Sequence, residues 1–423
     1  MNASLALHLA RPHHSKPSRA AERRRVRRPS RPPGSPVATL FMAMFAAQAG
    51  LLSLGPVLPD VAHEFGVSTA AAGQLRTLGG LAGGAAAVAV SLFGSRLGLR
   101  RMLIAGHLML ALGTLASAAA QNLAVLAAAQ AAVGAAAGLL IAGALAASAA
   151  WSEPGRRARA LAVASLGQPM SWVAGMPLGG LLAELDWRYS LLGVPLAASL
   201  AGSAALARLP RPAGSTPAGR SLRSLPVWAM PELSAYAAWG GALVFAGALL
   251  VEAYSVSPGV VGLLLGAVAL AALPGNMLAR PWLTGYAREL LVVLGLAAAL
   301  LVAVFGIARP GAAASTAILA LLVLVATTRT VAGSALALQS AGDRRLAAMG
   351  VRAATGQFGY LVGAAVGGAA LATGGYEMLA VSLAALFVLG TIPHLTAIVS
   401  QTRRPRLKDS SVFARFRFGP DAA

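Results

Sequence analysis

The chain has 423 residues, of which 57% are hydrophobic and only 11% charged, with a formal net charge of +21 and no cysteine. Too few polar residues remain to cover a soluble fold of this length, so a water-exposed globule is excluded. The lack of cysteine excludes disulfides and thiolate chemistry, and six scattered histidines show no paired metal-ligand spacing, so neither a metal nor a cofactor is expected.

From the N-terminus, residues 1–36 form a basic tail, whose arginines follow a mildly apolar start in the reverse order of a signal peptide. Apolar stretches follow at 37–58, 70–93, 102–120, 123–147, 161–183 and 190–207, each near the ~20 residues that cross a bilayer as a helix. Residues 208–232, rich in Pro, Ser, Gly and Arg, read as a linker. Six more stretches run at 233–251, 260–278, 290–308, 312–337, 348–371 and 379–398, before a second basic tail at 401–423. Backbone groups in lipid must be satisfied within their own segment, so the twelve spans are helices, in domains 37–207 and 233–400. The expected fold is an all-α polytopic membrane protein. No polar stretch is long enough for a soluble catalytic domain and no catalytic constellation appears, so an enzyme is not expected.

The charges are sorted. Loops after even-numbered spans hold fifteen arginines, including Arg96, Arg100, Arg101, Arg280 and Arg352. The loops assigned to the other side hold only Arg76, Arg188 and Arg309. This asymmetry places both termini in the cytoplasm, in an inner-membrane protein. The basic tails then face anionic headgroups, which explains the net charge without nucleic acid. Trp151, Trp187, Trp228 and Trp282 fall at span ends, as interface anchors do.

The halves also repeat. Residues 152–161 (SEPGRRARAL) align with 340–349 (SAGDRRLAAM) at an offset of 188, which also carries Gly179-Gly180 onto Gly367-Gly368. With one residue of slip, Gly167-Gln168 falls on Gly356-Gln357, and Phe65-Gly-Val-Ser68 on Tyr254-Ser-Val-Ser257. Two pseudo-symmetric six-helix bundles are expected. Gly356, Gly359, Gly363 and Gly367 form a ridge, read as a close-packing face or as a surface for helices to rock past each other.

Pro56-Val-Leu-Pro59, Phe65-Gly-Val-Ser68 and Gly73-Gln-Leu75, with Gly175-Met-Pro-Leu-Gly-Gly180 and the following Trp187-Arg188, resemble the major facilitator superfamily, in particular its 12-span drug:proton antiporters and sugar-efflux relatives. The resemblance covers residues 37–400. It implies alternating access by two rocking bundles and conformational motifs at Arg96, Gly98, Arg100 and Arg101, and at Gly175, Pro177, Gly179 and Gly180. Two positions depart from the family: Ser95 stands where its aspartate would, and Gln130 where its fourth-span arginine would. The family's charge lock is therefore not carried over, and proton coupling is an expectation from the resemblance alone.

Polar groups inside lipid are functional candidates. Arg329 lies about 17 residues into span ten with no carboxylate on that span; it either snorkels to the headgroups or bonds backbone carbonyls, or it is a cavity arginine that binds an anionic substrate or replaces the charge missing at Gln130. His107 and His394 titrate in the physiological range. No Asp or Glu is read at mid-membrane depth, so Asp60 and Glu252, near the outer ends of spans one and seven, join His107 as coupling candidates. Gln48, Gln168, Trp172, Trp239, Asn276, Gln357 and Tyr360 are substrate-contact candidates with Arg329, lining an apolar, aromatic site suited to neutral or lipophilic compounds. The expectation is a monomeric secondary transporter exporting a small organic molecule, with protons as the counter-ion. The alternatives are a metabolite or anion importer and a non-transporting membrane sensor.

Overall fold

The computed structural model describes residues 36–153, 156–209, 227–278, 286–340 and 345–403, and among these there is no strand. The tails, most of the linker and the loop carrying Arg280 and Trp282 lie outside the described residues. Span one is Pro36–Leu52; it breaks at Gly55-Pro56 and resumes as Leu58–Glu64 with Pro59 in its first turn. Span two, Thr69–Gly73 and Leu75–Leu97, is capped by the Ser68 hydroxyl accepting from the Ala71 N–H at 3.2 Å. Spans three to six are Leu99–Ala118, Leu123–Ala150, Arg157–Ser165 with Gly167–Ala183, and Trp187–Arg208. Asn122 caps span four and Asp186 caps span six.

Span seven is Ala229–Tyr254, four residues longer at its start than hydropathy suggests. Span eight is Pro258–Ala269 with Ala272–Leu278, span nine Ala287–Ile307 and span ten Ala312–Ser340. Arg345–Arg403 would be about 88 Å long if unbroken, nearly three times the bilayer core. The backbone leaves the helix at Gly374 and at Gly375 (φ 63°, ψ −160°), a left-handed position suited to glycine. The chain folds back there: Gly363 and Leu383 both reach Gly241 of span seven. Spans eleven and twelve are its two arms.

Packing within each bundle repeats. A Cβ on Gly134 or Gly138 of span four would overlap the carbonyls of Gly79 and Gly83 on span two, and Gly275 of span eight meets Leu324 on span ten. Likewise Gly167 of span five presses on Phe41 of span one, and Gly363 of span eleven on Ala237 of span seven. Each pairing recurs six spans later, which is the pseudo-symmetry expected from the repeat. The ridge Gly359, Gly363 and Gly367 faces Tyr236, Ala237 and Phe245 of span seven, so it packs inside one bundle. The bundles meet along other seams. Gly80 and Gly84 of span two approach Leu361 and Phe358 of span eleven, and Gly180 and Pro177 of span five approach Gly262 and Gly266 of span eight.

Candidate functional site

Halfway along these seams both bundles supply polar and aromatic groups. Gln48 is buried; its Nε2 donates to Tyr360 Oη at 3.5 Å and its Oε1 accepts from Gln168 Nε2 at 3.1 Å. One turn beyond Gln168, Trp172 stacks on Trp239 of the opposite bundle, with ring centroids 5.7 Å apart and planes 24° from parallel. The Trp172 indole N–H and the Gln357 Oε1 are buried without hydrogen-bond partners, and Gln357 lies against Gly83 of span two. The structure thus brings together Gln48, Gln168, Trp172, Trp239 and Tyr360. Asn276 instead donates to the carbonyl of Ala272 on its own helix, at 2.9 Å.

Arg76 counts among the loop charges in the sequence although the 70–93 stretch contains it, and the structure decides for the helix. It lies inside span two, 3% exposed, with its guanidinium 5.3 Å from the centroid of the Tyr360 ring. Neither terminal nitrogen has a hydrogen-bond partner. A space of about 10 Å³, enough for roughly one water, adjoins it and is walled by Leu51, Leu54, Leu58 and Leu243.

In the C-terminal bundle Arg329 does not snorkel. It is 3% exposed and donates to Glu232 Oε1 at 3.1 Å. Arg352, also read as a loop residue, lies within the helix of span eleven; it meets Glu232 Oε2 at 3.4 Å and donates to Tyr236 Oη at 2.7 Å and the Thr330 carbonyl at 3.1 Å. Glu232 is 1% exposed and is the one buried carboxylate among the described residues. Sequence reasoning missed it because it fell one residue before the predicted start of span seven. The signal was Arg329 itself: a cation that deep in lipid needs a carboxylate from a neighbouring span at equal depth.

At the far end of the bundles, opposite the end where span six finishes and span seven begins, Glu252 accepts hydrogen bonds from Thr69 of the other bundle and, at 2.9 Å, from Tyr376. Nearby Glu184 accepts the Gly259 N–H across the seam at 2.7 Å. Hydrogen bonds from the Ser257 hydroxyl and that N–H hold the Glu184 carboxyl below the usual carboxylate range. Asp60 sits in the first turn of Leu58–Glu64 at the same end. Glu64, bonded first by Arg188 and then by Trp187, is also held below that range.

His107 lies between spans three and six, its ring filling the space beside Gly202 and both ring nitrogens unpartnered. His394 of span twelve is 5% exposed. Gln130 donates to the Ser117 hydroxyl at 3.0 Å inside the N-terminal bundle. Of the loop motif, Gly98 has φ 82°, and Arg100 donates to the Leu206 and Ala207 carbonyls closing span six. Arg101 is exposed, and the Arg96 side chain lies outside the described set. The fifth-span motif divides its faces: Gly175 and Gly179 meet span six, Pro177 and Gly180 span eight.

The family model described as Major Facilitator Superfamily matches residues 40–231. Among solved structures, the human organic anion transporter MFSD10 aligns over 86% of this chain and 100% of its own, with TM-score 0.65 and 14% identity. A D-xylose-proton symporter aligns over 85% and 96% (TM-score 0.69, 13% identity), and the nucleoside transporter NupG over 86% and 99% (0.68, 12%). At such identities these likenesses speak for the fold.

Proposed function

We propose that this chain, a transporter of the Major Facilitator Superfamily by its fold and by the match over residues 40–231, exports a small organic molecule in exchange for protons. The observation that carries this reading is the central cluster: Gln48–Tyr360 and Trp172–Trp239 are each a contact between bundles. Any rocking that opens the site to one side must part them. Each such contact is worth about 1 kcal/mol, weak enough to break in every cycle. A substrate that replaces them in only one conformation shifts the equilibrium by its differential affinity.

In this reading the protein is a monomer in the inner membrane. The linker at 208–232 and the basic tails, 1–36 and 401–423, face the cytoplasm. The far end, where Glu252 and Glu184 join the bundles, is the outer side. Glu252 is the better placed coupling group: protonation would weaken its hold on Thr69 and Tyr376 and so favour parting at that end. Asp60, near the same end, is the second. His107, packed between two spans of one bundle, is set aside. The test is flux in proteoliposomes with an imposed pH gradient. Trp239→Ala and Gln48→Ala should each abolish compound-driven proton flux in folded protein; full flux in both removes the central cluster as the substrate site.

A further inference from the structure

Arg76 is a buried cation without a counter-ion. Among the described residues no carboxylate lies within ion-pair distance of it, whereas Arg329 and Arg352 share Glu232. The Tyr360 ring face offsets only part of the cost of holding a guanidinium away from water. Leucines, Val244 and Gly55 supply the remaining walls, so no described residue completes the site. The central region as a whole carries three buried or nearly buried arginines against one carboxylate, Glu232.

Two further features suggest what completes it. Arg76 belongs to span two and Tyr360 to span eleven, so an ion held here touches both bundles. Leu243, which lines the Arg76 space, is one helical turn from Trp239, and Trp172 is one turn from Gln168. The Arg76 space therefore lies one helical turn along span seven from the tryptophan stack.

We infer that Arg76 is the anion-binding point of the substrate site, and that the substrate is a small organic carboxylate whose apolar body lies toward Trp172 and Trp239. The inference rests on the transport reading above. Two parallel N–H groups of a guanidinium match the two oxygens of a carboxylate. The present space holds about one water, so the substrate, its carboxylate included, enters as the bundles part.

The test is binding, read separately from transport. Purified protein in detergent is titrated with aromatic monocarboxylates from benzoate to naphthoate, each beside its neutral amide and beside sodium chloride, following thermal stability and tryptophan fluorescence. The acids should stabilise the protein and quench fluorescence where the amides do not. Arg76→Gln should weaken acid binding about 10- to 100-fold, and Arg76→Lys, which keeps the charge, should recover part of it. Equal response to acids and amides, no response to any acid, or acid binding that persists in Arg76→Gln would overturn the inference. So would chloride reproducing the Arg76-dependent shift, which would make the site inorganic. Arg76-dependent binding without flux in vesicles would instead defeat the transport reading and leave the anion site standing. Flux of neutral compounds that survives Arg76→Gln would do the reverse.

Discussion

The two bundles bury their arginines in opposite ways. In the C-terminal bundle, Arg329 and Arg352 converge on Glu232, and Arg352 also donates to Tyr236 and the Thr330 carbonyl. In the N-terminal bundle, Arg76 faces a tyrosine ring and leucines, with no acid among the described residues. The backbone packing of the two halves is nearly the same, glycine against carbonyl, six spans apart. Pseudo-symmetry here is thus a property of helix packing and not of charge. A paired cluster holds three helices of one bundle in place, whereas the buried cation of the other bundle faces a ring of the opposite bundle.

Removing Glu232 tests that contrast most severely. Glu232→Ala strands two buried guanidinium groups and should cost about 3–5 kcal/mol, seen as a large fall in the thermal unfolding midpoint in detergent; an unchanged midpoint would mean the cluster is not structural. Arg329→Ala leaves Glu232 with Arg352 alone and should cost less, about 2 kcal/mol, while the protein still inserts in the membrane. Transport should fall with stability in that variant. Arg76→Gln should behave inversely, leaving the midpoint level or higher because an uncompensated charge has gone; a fall as large as that of Glu232→Ala would erase the distinction between the bundles.

The span pattern, the repeat and the bundle architecture were legible in the sequence because bilayer thickness and hydropathy act along one dimension. The two central charges of the account, Arg76 and Glu232, were not. Arg76 is only a few residues beyond the Ser68 cap and so resembles a loop charge, although the cap shows that the helix has already begun. Glu232 follows a proline-rich linker, and hydropathy cannot see that Ala229 starts the helix. What decides both is the identity of the residues opposite, on spans eleven and ten, at separations that no local pattern carries. Gln48 and Gln168 were easier: amide side chains in otherwise Ala- and Gly-rich spans need polar partners, which here are each other and Tyr360.

Smaller effects sharpen the comparison at the far end. Asp60→Asn together with Glu252→Gln should blunt pH-driven transport several-fold without loss of folded protein, and full retention would exclude both as coupling groups. Glu64 titrates on the acid side only. Its carboxyl is held below the ordinary value of 4.5 by Arg188 and Trp187, so its stabilising contribution is present above that value and is lost as pH falls through the lowered one. Glu64→Gln should flatten the acid limb of a stability–pH curve slightly, because the pair is partly exposed and solvent screens it.

The rocking of two bundles about a shared site is tested most directly by distance measurements between spin labels. The chain has no native cysteine, so labels attach only where cysteines are placed. Exposed Leu185 and Ile307 report the far end, and exposed Val163 and Met230 the opposite end. The account predicts two distances at each pair, with populations that move in opposite directions between pH 5 and pH 8 as one end closes and the other opens. A single narrow distance at both pairs, unchanged across that range, would contradict it.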